Sequence, residues 1–335
     1  MKPNVISLAH GSGGRFTHEL IRELMVKKLG NPILNVLGDS ALIPGSSRMA
    51  LTTDSFVVSP WKFPGANIGT LAVCGTINDL AMAGAQPQFL SLACIMEEGL
   101  PYRILEEVID SIAAQARKAK VRIVTGDSKV VERGSCDKLF ITTSGVGTMV
   151  TAVPLSLKRV KAHDKVVING CIGEHGLAVL SARKILGLAH SIRSDCAALH
   201  EMVLPLLAKG HAIKFMRDPT RGGLASTMNE IAEATGLGIM LDERKIPLSK
   251  NVKVACELLG LDPLYIANEG KVVIIVEAHA ALSVVNALRK HPLGKHAQII
   301  GEVVEKPKAQ VVLTTLVGTR RIVDMPVDDP LPRIC

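Results

Sequence analysis

The chain has 335 residues, of which 47% are hydrophobic and 21% are charged, which is enough apolar material for a large core divided between two domains. Its formal net charge of +8 comes from scattered lysines and arginines with 3% aromatic residues, a composition that argues against a nucleic-acid surface but suits anionic ligands such as nucleotides. No apolar run reaches the roughly 20 residues of a membrane-spanning helix, and the first residues lack the apolar core of a signal peptide.

The first motif is a glycine-rich loop, His10-Gly-Ser-Gly-Gly14, which precedes a predicted helix capped by Thr17 and ended by Gly30. Glycines let the backbone turn several N–H groups toward an anion, and a helix N-terminus adds favourable charge. The Gly-Lys-Ser/Thr ending of a Walker loop is missing. The loop therefore suits a phosphate site and a plain flexible turn equally well.

Three aspartates of the first half stand in unusual places. Asp54 and Asp127 each follow an apolar, β-branched run, so we predict them at the ends of two strands. Asp79 lies beside Asn78 inside a nearly uncharged helix predicted over 68–83, where a carboxylate is costly unless it is paired or binds a metal. If the three converge, they provide the oxygen ligands that Mg²⁺ on a triphosphate requires. A capping or core-paired aspartate is the alternative for Asp79.

The other elements follow from hydrophobic periodicity. A polar, basic stretch over residues 150–164 predicts a boundary between two halves, and the second half alternates strand-like and helix-like runs. We predict strands over 89–96, 139–149, 165–169, 238–241, 271–277 and 297–304, and helices over 101–118, 176–186, 195–208, 222–235, 250–259 and 280–290.

Two motifs of the second half carry charge. Asp218-Pro-Thr-Arg221-Gly-Gly opens a predicted helix and offers an arginine and free N–H groups to a phosphate, although an Asp/Thr cap with a surface arginine explains it equally well. Asn268-Glu269-Gly-Lys271 lies between two strand-like runs, where a glycine turn with solvated charges is the simpler explanation.

The C-terminal stretch from Met325 to Cys335 contains three prolines, which predict an extended, semi-stiff arm that spans about 35 Å at roughly 3.3 Å per residue. Its last residue is a thiol, and a thiol on an arm can be loaded at one site and react at another. A frayed terminus with an accidental cysteine is the alternative. The chain has seven cysteines without paired spacing, which predicts free thiols, a cytoplasmic location and no structural zinc.

Taken together, the motifs Gly11-Ser-Gly-Gly14, Gly38-Asp39, Thr53-Asp54-Ser55, Asn78-Asp79, Gly126-Asp127 and Asp218-x-x-Arg-Gly-Gly resemble the superfamily of aminoimidazole ribonucleotide synthetase, selenophosphate synthetase and thiamine-monophosphate kinase. Within it, the chain resembles the HypE family of hydrogenase maturation proteins. That resemblance rests on the glycine-rich loop, on Thr125-Gly-Asp-Ser-Lys-Val-Val131, on Ala267-Asn-Glu-Gly-Lys271 and on the terminal Pro332-Arg-Ile-Cys335.

The resemblance implies a two-domain α/β (α+β) fold with ATP between the domains. The N-terminal sheet would form a barrel across a homodimer, the C-terminal domain would be an α/β sandwich, and an extended tail would follow. On this basis we divide the chain into a glycine-rich loop and helix (1–40), an ATP- and Mg-binding dimerisation domain (41–152), a C-terminal α/β domain (153–324) and a mobile tail (325–335).

The resemblance also implies a reaction and its partners. The carbamoyltransferase HypF would load a carbamoyl group onto Cys335, ATP would drive its dehydration to a thiocyanate, and the cyanide would pass to iron on the HypC–HypD complex for [NiFe]-hydrogenase. Glu269 would be the base, and Lys129 would orient the carbamoyl group or stabilise charge on its oxygen. ATP would be held by Gly11, Ser12, Gly13, Gly14, Asn78, Asp79, Asp127 and Arg221, and Mg²⁺ by Asp39, Asp54, Asp79 and Asp127.

The chemistry supports that assignment independently. Loss of an amide oxygen as hydroxide is prohibitive, whereas phosphoryl transfer turns the oxygen into phosphate, and removal of the nitrogen protons then leaves a nitrile. Two rivals remain. One is another ATP-dependent enzyme of the superfamily, although selenophosphate synthetase carries a reactive residue near its N-terminus and the first cysteine here is Cys74. The other is a non-catalytic carrier whose terminal thiol ligates a metal.

Overall fold

A computed structural model gives the fold, and it describes residues 5–11, 15–36, 43, 45, 48–151, 153, 155–183, 192–210, 212–326, 331 and 333–335. Within these ranges the strands are β1 (Met49–Phe56), β2 (Lys62–Phe63), β3 (Ala66–Asn67), β4 (Ala85–Glu97), β5 (Arg122–Val131), β6 (Leu139–Met149), β7 (Lys165–Ile168), β8 (Ile213–Arg217), β9 (Gly238–Asp242), β10 (Val273–Val276), β11 (Gln298–Val304), β12 (Val311–Thr314) and β13 (Arg320–Ile322). The α-helices are α1 (Arg15–Leu20), α2 (Lys27–Leu29), α3 (Ile68–Met82), α4 (Tyr102–Lys118), α5 (Glu174–Ala182), α6 (His200–Ala208), α7 (Gly223–Thr235), α8 (Lys250–Leu259) and α9 (Ala281–Arg289). A π-helical segment, Ile21–Val26, joins α1 to α2.

The first sheet has four strands in the order β1-β6-β4-β5. Its strand pairs are antiparallel except β4 and β5, which run parallel and are joined by the long amphipathic helix α4. Helix α3 contacts β1, β6 and β4, and α4 packs on α3. One face of this sheet is therefore covered by helices, while Leu51 of β1 and Ile95 of β4 are exposed on the other face.

Helix α3 is buried along almost its whole length, and Asp79 is the one residue in it that is not fully buried. Asn67 caps the helix by accepting a hydrogen bond from the Thr70 N–H group. The packing is close because a Cβ atom on Gly69 would lie 2.5 Å from the Val108 carbonyl oxygen of α4. The apolar composition that predicted burial of this helix is confirmed.

The second sheet has the order β13-β12-β9-β11-β7-β10-β8, and its pairs are antiparallel except β12 with β9. Helix α7 packs on one face, in a core with Leu241 and Val273, and α6 and α9 pack on the other face, in a core with Val167 and Ile274. The result is a sheet sandwiched between helices, as the sequence predicted.

The two halves of the chain share an apolar core. Residues of α3 and α4 pack in the same cluster as Leu177 of α5, Val252 of α8 and Ile266, and this cluster also contains Leu331 and Ile334 of the tail. Because the two halves are joined in this way, the division of the chain at residue 152 stays a prediction. Across the described ranges, no helix is long and apolar enough to cross a membrane.

Most predicted elements are confirmed within a few residues, with two informative errors. Strands β1 and β5 continue past Asp54 and Asp127 to Phe56 and Val131, so the aspartates lie within strands and not at their ends. The predicted helix over 195–208 begins only at His200, because polar groups of residues 195–199 bond to α3 and to residues 269–271 instead of forming a helix. The sequence analysis also missed β8, β12 and β13.

Candidate active site

Asp54 and Asp79 lie side by side between β1 and α3. Alternate residues of β1 face the helix, so the Thr52 hydroxyl donates to Asp79 Oδ2 at 2.7 Å. The Thr76 hydroxyl of α3 donates to Asp54 Oδ2 at 3.3 Å. The two carboxyl groups are close enough for Asp79 to repel the charge of Asp54. Two of the four predicted metal ligands, Asp54 and Asp79, are therefore brought together.

Asp218 completes an acidic cluster with these two residues. Burial, followed by repulsion from Asp79, raises the pKa of Asp54 to about 6 and that of Asp218 to about 7. Exposed Arg221, three residues after Asp218, attracts Asp54 more weakly than Asp79 repels it. The cluster consequently carries negative charge that the surrounding protein does not balance. The sequence analysis named Asp218 within its motif but not as a site residue, and only the fold shows it beside Asp79.

Glu269 is buried close to this cluster. The Asn268 side chain holds its loop, because it donates to the Pro219 carbonyl at 2.9 Å and accepts from the Gly173 N–H group at 2.8 Å. Burial, then repulsion from Asp218 and Asp195, raises the pKa of Glu269 well above its ordinary value. Glu269 therefore holds its proton more tightly than an ordinary carboxyl group does, and a reduction of the neighbouring negative charge would make it a more available base.

Asp195 is also a buried carboxylate, but its negative charge is balanced by neighbouring groups. Its Oδ2 accepts from the Lys271 ammonium at 2.8 Å and from the Gly270 N–H group at 3.1 Å, and its Oδ1 accepts from the Glu269 N–H group at 3.2 Å. Burial alone would raise the pKa of Asp195, but the attraction and hydrogen bond of Lys271 hold it below its usual value. Asp195 therefore fixes the loop that carries Glu269. No sequence signal separated it from other acids of a predicted helix.

The C-terminal tail is docked against the body of the protein. The Val57 and Ser59 N–H groups donate to the carbonyls of Cys335 and Arg333 at 3.1 Å and 3.2 Å, respectively. The backbone of the tail therefore pairs with the segment just beyond β1. The Ile334 carbonyl accepts from His175 Nε2 at 3.0 Å, and Ile334 itself is buried. The Arg333 guanidinium pairs with Asp137 at 3.0 Å. The terminal thiol is thus held at the junction of β1, α5 and the segment that leads to Asp195.

Other predicted site residues have different surroundings. Asn78 uses its amide on protein backbone, because it donates to the carbonyls of Ala197 and Glu269 and accepts from the Leu199 N–H group. Gly11 ends a short 3₁₀ turn. Ser12, Gly13, Gly14 and Asp39 lie outside the described residues. Asn78 thus holds segments together, and its predicted role in binding ATP stays a prediction.

Asp127 and Lys129 lie apart from the acidic cluster within one protomer. Across the sheet Asp127 is level with Ala93, Thr142 and Ser55, so it stands three strands from β1, about 14 Å away, and on the open face rather than the helix-covered face. Lys129 donates to Asp127 at 2.9 Å, and this bond lowers the pKa of Asp127. Among the described residues, no three His, Cys, Asp or Glu side chains are grouped closely enough to hold a metal ion by themselves.

Comparisons with known proteins agree with this geometry. Residues 37–149 and 161–314 match the family models of the N-terminal and C-terminal domains of AIR synthase related proteins. The chain is 48% identical over 337 residues to the carbamoyl dehydratase HypE of Cupriavidus necator, an alignment that covers 100% of this chain and 96% of that protein. A crystal structure of the hydrogenase maturation protein HypE in complex with ATP superposes with a TM-score of 0.95 at 44% identity and covers 98% of this chain and 99% of that chain. A HypE–HypF complex matches with a TM-score of 0.81 at 46% identity over 92% of this chain and 99% of that one.

Proposed function

The chain belongs to the HypE family of carbamoyl dehydratases, and we propose that it uses ATP to dehydrate a carbamoyl group on Cys335. The group would be carried as a thiocarboxamide and would leave as the cyanide of a thiocyanate, for the iron of [NiFe]-hydrogenase. The single observation that carries the proposal is the docked tail, whose last two carbonyls accept hydrogen bonds from His175 and from Val57, three residues after Asp54 of the acidic cluster.

The acidic cluster suits a divalent cation with a triphosphate. Asp54 and Asp79 lie side by side and Asp218 adds negative charge nearby, so the site offers hard oxygen donors whose negative charge exceeds the positive charge around them. Fewer than three carboxylates are close enough to ligate together, which leaves room for phosphate oxygens in the shell. Bound Mg-ATP would supply the γ-phosphoryl group that turns the carbamoyl oxygen into a leaving group.

Glu269 is the group that we propose accepts a proton from the carbamoyl nitrogen. It is buried, and its raised pKa means that it holds its proton more tightly while Asp218 and Asp54 are unneutralised. When that charge is balanced, the pKa of Glu269 falls and its carboxylate becomes available. Both nitrogen protons are lost in the reaction, and the carbamoyl oxygen departs with phosphate. This arrangement links proton removal to occupation of the nucleotide site.

Lys129 would approach the tail from the open face of the first sheet. It is level with Ile95 and Phe140, and the Arg333 guanidinium lies 5.9 Å from the Phe140 ring centre. Two strand spacings, about 10 Å, separate Lys129 from Phe140. We propose that Lys129 orients the carbamoyl group from this side, and that Asp127 holds it in place when the tail is empty.

A homodimer would cover the open face of the first sheet. Leu51 is 75% exposed and Ile95 is 40% exposed there, which is unusual for a sheet whose other face is fully packed. Pairing of two such faces would form the predicted barrel. Asp127 cannot reach Asp54 through its own sheet, so its predicted role as a metal ligand would require the partner protomer.

The protein partners follow from the family. The structure of a HypE–HypF complex supports HypF as the source of the carbamoyl group, and we propose the HypC–HypD complex as the acceptor of cyanide. All seven cysteines are free thiols, which supports a reducing compartment such as the cytoplasm.

Phosphate release separates the proposal from its rivals. In the presence of HypF, carbamoyl phosphate and Mg-ATP, we expect Cys335→Ala to reduce phosphate release by this chain to background, whereas Cys136→Ala, at another partly exposed thiol, retains it. Wild-type release from Cys335→Ala would show that the thiol carries no substrate and would favour another enzyme of the superfamily. Absence of release from every form would favour a non-catalytic carrier.

A further inference from the structure

The tail makes one contact besides its backbone hydrogen bonds to residues 57–59. Successive carbonyls of an extended chain point to opposite sides, and those of Arg333 and Cys335 both accept from residues 57–59. The intervening carbonyl of Ile334 points into the protein and accepts from His175 Nε2 at 3.0 Å. It is therefore the carbonyl of the penultimate residue, directly before the thiol, that is bound by a buried side chain.

His175 is held in a single tautomer. A carbonyl can only accept, so Nε2 carries the hydrogen and Nδ1 is the acceptor. The Ser194 hydroxyl, 2.9 Å from Nδ1, then donates to the ring, and the Ser194 oxygen accepts from the Cys196 N–H group at 3.1 Å. The ring is fully buried and stands edge-on to Phe63, with the ring centres 5.3 Å apart. Both ring nitrogens of His175 and the Ser194 hydroxyl therefore have hydrogen-bond partners, and the buried ring is held in this orientation.

The same short segment also fixes the loop of Glu269. Ser194 holds the His175 ring, the next residue, Asp195, accepts from the Glu269 N–H group, and the Ala197 N–H group donates back to the Glu269 carbonyl at 3.4 Å. A tail bound to His175 is thereby held in a fixed relation to Glu269. A displaced tail would leave the Nε2–H group buried and unsatisfied, which favours the docked state.

We propose that His175, kept in one tautomer by Ser194, is the positioning residue that docks the penultimate peptide carbonyl and so sets the Cys335 thiol in its reactive place. The inference rests on the proposed function for what the thiol does there, but docking itself is measurable without any reaction. The loss of one such buried hydrogen bond corresponds to about a tenfold change in the docking equilibrium.

Alkylation of Cys335 with N-ethylmaleimide tests the docking. Cleavage at lysine releases residues 309–335 as a peptide with Cys335 as its single cysteine, so mass spectrometry follows this thiol alone. We expect His175→Leu to raise the alkylation rate about tenfold. His175→Gln keeps an N–H donor and should stay near the wild-type rate. His279→Leu, at an exposed histidine, is the matched control and should not change the rate.

Dehydration measured in the same proteins distinguishes docking from a general structural effect. We expect His175→Leu to lower kcat for dehydration about tenfold, with the KM for ATP unchanged and loading by HypF unimpaired. We expect His175→Gln to restore kcat. If His175→Leu does not fold, Ser194→Ala takes its place and should raise alkylation severalfold. Alkylation at the wild-type rate in a folded His175→Leu or Ser194→Ala protein overturns the proposal. If the variants are alkylated faster but the wild-type chain catalyses no dehydration, the proposed function is wrong and the docking role of His175 stands.

Discussion

Two groups of buried carboxylates lie within one site and differ in how their charge is balanced. Asp195 has the Lys271 ammonium at 2.8 Å and two backbone N–H groups, and its pKa is held below the usual value despite burial. Asp54 and Asp218 have each other and Asp79 as neighbours, and burial with repulsion raises their pKa values to about 6 and about 7.

The difference separates a structural acid from acids that can bind a ligand. Asp195 is satisfied by the protein itself, and it holds the backbone of Glu269 and Gly270 in place. The cluster of Asp54, Asp79 and Asp218 is destabilised by its own charge, and a cation would remove that penalty. The sequence alone does not distinguish these two groups of acidic residues, whereas their partners in the structure give them opposite roles.

The largest expected effect comes from removal of the cation that balances Asp195. Lys271→Met leaves a buried carboxylate without its ion pair, and we expect the free energy of unfolding to fall by about 3 kcal/mol. Lys62→Met, which breaks an exposed pair with Glu107, should cost less than about 1 kcal/mol. Urea denaturation of both variants measures the difference. Equal losses would show that Asp195 does not depend on Lys271.

Asp79→Asn should separate stability from activity. The change removes repulsion from Asp54 and Asp218, and the asparagine oxygen can still accept from Thr52, so we expect the unfolding free energy without cations to stay the same or rise slightly. Mg-ATP turnover should fall about a hundredfold because a cation ligand is lost. Unchanged ATP affinity and turnover would remove Asp79 from the site.

The raised pKa values predict how the effect of Mg²⁺ depends on pH. Asp54 and Asp218 bind protons more tightly in the folded chain, so they contribute stability below pH 4 that is lost as pH rises through about 6 and about 7. Above pH 7 both are charged and can bind Mg²⁺. We expect the Tm gain from Mg²⁺ to be roughly 2–4 °C larger at pH 8 than at pH 5.5. Differential scanning fluorimetry measures it, and a gain independent of pH would contradict the cation site.

The smallest expected effect concerns the exposed end of the tail. Arg333 is partly exposed and pairs with Asp137, and exposed ion pairs contribute little. Arg333→Ala should therefore raise the alkylation rate of Cys335 less than about threefold, well below the effect expected for His175→Leu. A larger effect than that of His175→Leu would place the main docking contact at the surface of the protein.

Helices and strands with a clear local pattern of apolar residues could be predicted from the sequence. Helix α3 and the strand Leu139–Met149 were predicted almost to the residue, because their apolar runs have clear ends, and Asp79 was singled out because a charge in such a helix is unusual. Cys335 was identified from its place on a proline-rich arm. The docked position of that arm depends on contacts with Val57 and His175, which are remote in the sequence.

The convergence of acids could not be predicted, because it depends on strand order and strand face. Asp54 and Asp127 have the same local pattern, but the order β1-β6-β4-β5 puts them on opposite edges of the sheet. A register shift in the pairing of β4 with β5, between Leu90 and Ser91, helps to determine on which face of the sheet Asp127 lies. Asp195 was assigned to a helix because its neighbours have helical periodicity, while its ion pair with Lys271 is made from a segment that lies outside helix α6.

The most direct test of the central claim is an intact-mass measurement on the chain incubated with HypF, carbamoyl phosphate and Mg-ATP, with Cys335→Ala in parallel. The account predicts a carbamoyl adduct on Cys335 that converts, with ATP, to a species lighter by one water, and no adduct on the variant. An adduct that forms and never loses water, or an adduct that forms equally on Cys335→Ala, would contradict it.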